Sequence, residues 1–228
     1  MIRIFIHSVF LIFFSLISLD CGIALTTRAT LKLPPQTKTE ILRVNVIYGE
    51  TYRMHGLNLG FANFVQKDLI GIQLGIVNGA EEGTGIQIGA INNSKPSFAL
   101  LKIGILNLNF FLDSGRPQPG DTPENRERRV KGDLAFSVGV ANLASGKVNF
   151  GLFNYGYGFN AGLINWNGEG SAVSIGAVNI GETENFQIGI LNFCKEGPIS
   201  FMIVANYCRP GWTENSSANE NTFAPETK

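Results

Sequence analysis

Apolar and polar positions along this chain follow a seven-position pattern that returns nine times: apolar, variable, apolar, Gly, apolar, apolar, Asn. The copies run Leu57 to Asn63, Ile72 to Asn78, Ile86 to Asn92, Leu101 to Asn107, Phe136 to Asn142, Val148 to Asn154, Phe159 to Asn165, Val173 to Asn179 and Phe186 to Asn192. A tenth, degenerate copy ends at Asn206 and carries Ile203 where the glycine should stand. The closing asparagines of the nine copies fall 11 to 15 residues apart, apart from one interval of 35 between Asn107 and Asn142.

Within a copy the first, third and fifth positions are apolar, as in Ile72, Leu74 and Ile76, which is the period of two that lines up side chains on one face of a strand. The second position is mostly polar (Asn58, Gln73, Gln87, Lys102, Ser137, Asn149, Asn160, Ser174, Gln187). A helix would not align the apolar positions, and its central glycine would cost about 1 kcal/mol against alanine. Each copy therefore predicts one strand. A further strand over Ile41 to Tyr48 and the degenerate copy bring the total to about eleven.

Turn signals separate the copies: Glu81-Glu82-Gly83, Ser94-Lys95-Pro96, Ser145-Gly146, Asn167-Gly168-Glu169-Gly170 and Lys195-Glu196-Gly197-Pro198. The long interruption from Asp113 to Gly132 holds three prolines and the charged run Glu124 to Lys131, and it reads as an exposed loop. Residues 209–228 form a polar tail with the composition of a disordered segment. The β-repeat domain then spans 41–208, after an N-terminal linker at 25–40.

Before the linker, Arg3 precedes an apolar run that reaches Leu19, too short for the roughly 20 residues of a spanning helix and suited to a cleaved signal peptide over 1–24. Two export routes compete. Gly22-Ile23-Ala24 suits ordinary cleavage near Ala24, while Cys21 stands where a lipoprotein carries its acyl chains, although Asp20 is a poor neighbour for that route. Either route leaves Cys194 and Cys208 as the disulfide partners available.

Charge narrows the function more than it reveals it. Lysines and arginines number 18, as do aspartates and glutamates, so there is no basic field for nucleic acid. Glycine is abundant at 27 residues, and phenylalanine at 17, in keeping with strands and turns. His55 is the only histidine beyond the signal segment, and no Gly-x-Ser-x-Gly elbow accompanies it. Glu81, Glu82, Glu182 and Glu184 lie at turns without an Asp-rich calcium spacing, and the basic cluster Arg126, Arg128, Arg129 and Lys131 is offset by Glu124 and Glu127. No catalytic, cofactor-binding or metal-ligating set is predicted.

Two architectures fit a strand every 11 to 15 residues: an antiparallel meander closed into a barrel of about 11–12 strands, and a parallel β-solenoid with glycine and asparagine ladders. The connectors Leu143 to Lys147 and Tyr155 to Gly158 are short and offer no second apolar wall, which favours the meander with its three-residue apolar face toward lipid. The cysteines discriminate: each follows its Asn by two residues, so parallel stacking would bring Cys194 and Cys208 about 4.8 Å apart, whereas a meander would separate them.

The copies Gly71-Ile72-Gln73-Leu74-Gly75-Ile76-Val77-Asn78 and Gly85-Ile86-Gln87-Ile88-Gly89-Ala90-Ile91-Asn92 resemble the surface-repeat proteins of leptospires, a family that includes lipoproteins. The resemblance covers Val44 to Tyr207 and weakens after Asn107, where Ser or Asn replaces Gln except at Gln187. It implies an envelope or surface location and no known catalysis, and its structural positions carry over no ligand residue. The expected function is thus a non-enzymatic outer-membrane or surface-exposed protein with a structural or adhesive role, membrane-associated and without a cofactor. The alternative is a small channel or lipidic-ligand carrier with Gln73, Gln87, Asn149 and Gln187 lining a lumen.

Overall fold

The computed structural model describes residues 20–95, 99–109, 135–144, 146–168, 170–197 and 199–209. The apolar segment 1–19, the predicted loop 113–132 with its basic cluster, and residues 210–228 of the tail lie outside the described residues.

Among the described residues ten strands form one sheet: β1 (Cys21–Ala24), β2 (Thr30–Leu33), β3 (Thr39–Ser94), β4 (Ala99–Leu108), β5 (Phe136–Leu143), β6 (Val148–Tyr155), β7 (Gly158–Asn167), β8 (Ala172–Gly181), β9 (Asn185–Cys194) and β10 (Phe201–Cys208). Their order is β10-β9-β8-β7-β6-β5-β4-β3-β1-β2, and every neighbouring pair from β3 to β9 is parallel. Only β1–β2 and β9–β10 are antiparallel. The expected antiparallel barrel is therefore incorrect. The chain winds as a mostly parallel β-solenoid, with like positions of successive copies stacked on one another.

Parallel pairing follows from how each strand bends. The register runs without a break through the glycine, as in Gly89↔Gly104, then skips the fifth position and resumes at Ile91↔Leu106. The same skip occurs at every later parallel junction up to β8–β9. The fifth residue is thus a corner. Positions one, three and five point outward before it and position six points outward after it, so the closing Asn turns inward with positions two and four. The second wall that the short connectors could not supply comes from the strand itself. β3 shows this winding in one element, because its own Asn45, Asn63, Asn78 and Asn92 stack on each other.

The interior that results is polar. The closing asparagines are fully buried, and each donates to the Oδ1 of the next: Asn63 to Asn78 at 3.0 Å, Asn78 to Asn92 at 2.9 Å, Asn92 to Asn107 at 3.0 Å and Asn107 to Asn142 at 2.8 Å. The column continues through Asn154, Asn165 and Asn179 to Asn192 at 2.7–2.9 Å. The same Nδ2 also donates to a third-position carbonyl of the following coil, for example Asn142 to Phe150 O at 3.0 Å. Each amide thereby satisfies both its N–H groups in a setting where an unmade bond costs about 1–3 kcal/mol.

Glycine at position four is a condition of this column. A Cβ on Gly139 would come within 2.7 Å of Asn107 Nδ2 and closer still to the Gly104 carbonyl oxygen. Gly104, Gly151, Gly162, Gly176 and Gly189 meet the same crowding from the coil before them. The degenerate copy tests the rule within the molecule. Ile203 cannot stack on Gly189 as a glycine does, and β10 runs antiparallel to β9 with a bulge between Met202 and Val204.

Cys194 and Cys208 form a disulfide, with Cα atoms 5.2 Å apart. An antiparallel neighbour brings them together because a coil nearly closes on itself. Cys208 lies opposite Asn185, and Asn185 and Cys194 are the two ends of the curled strand β9. A small apolar cluster of Met54, Val65, Leu69, Ala80, Leu100 and Ala135 fills the turn side of the earlier coils.

The column makes a stability series the direct check on this fold. Asn142→Leu removes the acceptor of Asn107 and the donor to Asn154, and is expected to cost about 2–4 kcal/mol in chemical denaturation. Gly139→Ala, a single added methyl, is expected to cost at least about 2–3 kcal/mol by overpacking. A neutral outcome for both would show that the coils do not stack in this register.

Candidate interaction surface

Because the amides occupy the inside, the repeated apolar positions form the outside. The corner position is the most exposed: Phe61, Ile76, Ile105, Val140, Leu152, Leu163 and Ile190 are 47–67% accessible. They form a ridge with coils about 4.8 Å apart, which gives roughly 40 Å over nine copies. The first and third positions flank it, with Ile72, Ile88, Ile103, Phe136, Val138, Phe150, Ile175 and Phe186 exposed. Alanines stand on the ridge at Ala90 and Ala177. Beside Ala177 the surface opens into an apolar recess of about 610 Å³, whose lining includes Ile190, Ile203 and Val204.

The exposed ion pairs sit at the turns, whereas Lys102, at position two of its copy, is fully buried and donates through Nζ to the Leu108 carbonyl at 2.6 Å. Glu81 pairs with Lys95 and Glu182 with Lys195, each at 3.2 Å and one coil apart, and Arg53 pairs with Asp68 at 3.3 Å. Glu184 accepts a 2.6 Å bond from Ser171 Oγ. The acidic turn residues placed by the structure are thus engaged by neighbouring coils rather than by each other, and they are not gathered into a site. His55 is exposed on β3. Among the described residues no three His, Cys, Asp or Glu side chains converge as a metal set. Gln73, Gln87, Asn149 and Gln187 are fully buried inside the coil; Gln87 donates to Gln73 at 2.7 Å and Asn149 to Asn160 at 2.9 Å. These amides fill the space that a lumen would need.

One polar feature has no counterpart in the repeat. Glu40 and Arg43 are both fully buried at the start of the column, with Arg43 Nη1 2.7 Å from each Glu40 oxygen. Lys32 reaches Glu40 at 3.0 Å, Thr51 Oγ1 donates to it at 2.8 Å, and Arg43 Nε donates to Asn45 Oδ1 at 2.8 Å. The carboxylate balances the guanidinium, which a buried charge requires.

Cys21 opens β1 and is a free thiol of intermediate exposure. β1 pairs in parallel with Leu42–Asn45 and antiparallel with β2, and Ala24 is fully buried. The Asp20 carbonyl accepts from Ile41 N at 2.7 Å, and Asp20 Oδ1 accepts from Thr37 Oγ1 at 2.8 Å. Residues 21–24, which the sequence reading includes in the segment 1–24, form strand β1 of the sheet, and Asp20 is bonded to the sheet from outside that strand. No protein-family profile, curated protein or solved structure matches the chain.

The inverted arrangement has an unusual mutational signature. Ile105→Glu and Leu152→Glu, which place a charge at a repeated apolar position, are expected to change stability by no more than about 0.5–1 kcal/mol. Thermal melts read this; a loss on the scale of a buried-core substitution would mean that the ridge is covered within the monomer.

Proposed function

We propose that this chain is a non-enzymatic, exported scaffold protein of the cell envelope whose solenoid lays its apolar ridge and flanks against lipid, in a structural or adhesive role. The single observation that carries the reading is the exposed apolar exterior, continuous from Phe61 to Ile190 and free of charge along the corner. Apolar patches larger than a few hundred Å² on a monomer mark protein or membrane contacts. The turn-edge ion pairs give the same body a water-facing side, so the molecule is amphipathic along its length. The resemblance to leptospiral surface-repeat proteins supports the same location.

Of the two export routes, β1 favours cleavage before Cys21 with lipid on its sulfur. Cleavage after Ala24 would remove a strand that pairs on both edges. An acyl anchor at that point would hold the solenoid at the bilayer surface, and a second contact from the ridge would complete the two signals that stable attachment needs.

Flotation of the purified chain from Cys21 to Lys228, not acylated, with phosphatidylethanolamine and phosphatidylglycerol vesicles tests the surface. The wild type is expected to rise with the vesicles, and the triple variant Ile105→Glu, Leu152→Glu, Ile190→Glu to stay below while keeping its β-sheet circular dichroism. A wild type that remains at the bottom, or a variant that floats equally well, overturns the lipid-facing reading. Metabolic labelling with an alkyne fatty acid in a host that processes lipoproteins tests the anchor separately. Label is expected on the wild type and absent from Cys21→Ser; an unlabelled wild type whose N-terminus is Leu25 overturns it.

A further inference from the structure

We infer that the C-terminal end of the solenoid is a self-pairing edge, and that two copies of this chain join tail to tail through β10 in an antiparallel, twofold-symmetric dimer. Among the described residues β10 has a neighbour on one side only. Its outer edge is therefore a row of main-chain donors and acceptors, and such an edge is a template for another strand.

The side chains of this edge are those of an interface. Phe201, Met202, Ile203 and Val204 are four successive apolar residues, all exposed, with Ile203 at 63% and Val204 at 73%. In a regular strand alternate residues would turn inward. Here the bulge between Met202 and Val204 breaks the alternation, and Val204 holds φ at +75°, a region a β-branched residue rarely enters. Strain of this kind persists where the surroundings impose it and marks functional positions. The bulge also sets Ile203 and Val204 at the rim of the recess beside Ala177.

Two further observations choose the occupant. Main-chain groups left unpaired against hydrocarbon cost several kcal/mol each, so the lipid that suits the ridge does not suit this edge. A strand does. The segment from Gly197 to Cys208 contains no charged residue, and so lacks the lysines and glutamates that protect natural edges from their own copies. The opposite end is protected: β2 has four residues, includes Lys32 bound to Glu40, and is followed by Pro34 and Pro35. Head-to-tail growth is blocked at that end. Antiparallel pairing of β10 with its own copy is self-complementary and closes at two subunits, whereas a heterologous contact would run on into a fibre.

Light scattering on the full chain from Cys21 to Lys228, in mild detergent that masks the ridge, tests the dimer independently of lipid binding. The wild type is expected at twice the monomer mass, Ile203→Lys at the monomer mass with an unchanged circular dichroism spectrum, and the ridge control Ile105→Lys as a dimer. A wild type that stays monomeric at high concentration, or an Ile203→Lys variant that remains dimeric, overturns the proposal. Loss of the dimer in Ile105→Lys also overturns it, since the ridge would then be the contact. Should Ile203→Lys fail to fold, hydrogen exchange on the wild type decides: amides of 201–208 are expected to slow about tenfold on concentration while those of β5 and β6 do not change. No concentration dependence at β10 overturns the dimer.

Discussion

The chain of asparagine amides along the solenoid axis is the interaction on which the rest of this structure depends. An asparagine carboxamide has two N–H donors and one carbonyl, and each column member from Asn63 to Asn179 uses one donor on the next asparagine and the other on the next coil's main chain. A carboxylate would lack the donors, and a glutamine would place them a methylene too far out. The bond between neighbours forms only when coils stack in parallel without offset. Zero offset in turn puts each fourth-position residue against the carbonyl of its counterpart, a space that glycine alone can occupy. Handing the amide from coil to coil, with glycine beside it, accounts for parallel strands, the common register and the two most constant positions of the repeat.

The narrow bore has a consequence for the outside. Amides and glycines leave room for few large apolar groups, and the buried apolar cluster is confined to the turn side of the earlier coils. The isoleucines, leucines and phenylalanines of the repeat are consequently carried outward, where they support one another along a sheet face and gain part of the burial available to them. The usual division of labour, with apolar burial driving folding and polar groups facing water, is reversed across most of this molecule. The ridge is left exposed among the described residues, and covering it would be worth about 25 cal/mol for each Å² removed from water.

Much of this was legible in the chain. Strand identity, repeat boundaries and the number of copies follow from spacing, and β4 to β9 fall on the predicted copies. Sidedness and direction did not follow, because the reading of a flat strand groups the closing Asn with positions one, three and five. The structure groups it with positions two and four, since the corner at position five lets two successive residues face outward. The sign of that corner was present: apolar residues at both positions five and six interrupt the alternation in every copy. Glycine at one fixed depth was a second sign, because a hairpin meander gives no reason for it and stacking requires it. The Glu40–Arg43 pair could not be read from the repeat at all, since it lies before the first copy and its partners Lys32 and Thr51 are brought to it by the fold.

A ladder of donors that all point the same way must be terminated differently at its two ends. Asn45 is the first member, and with no asparagine before it, its Oδ1 would face the interior without a donor. Arg43 Nε supplies that donor at 2.8 Å, and Glu40 neutralises the charge that the donor brings. At the other end Asn192 has no successor, and its Nδ2 turns back to the Gly189 carbonyl at 3.0 Å. Between these ends the column is indifferent to what joins one coil to the next. Asn107 and Asn142 are 35 residues apart in sequence and still bond at 2.8 Å, as close as coils joined by a short turn. Segments can thus be inserted at the turn edge without disturbing the column, whereas an insertion inside the seven-position motif would shift the amide out of line. The same interaction that fixes the fold leaves its turn edge free to vary, a property consistent with the scaffold role proposed above.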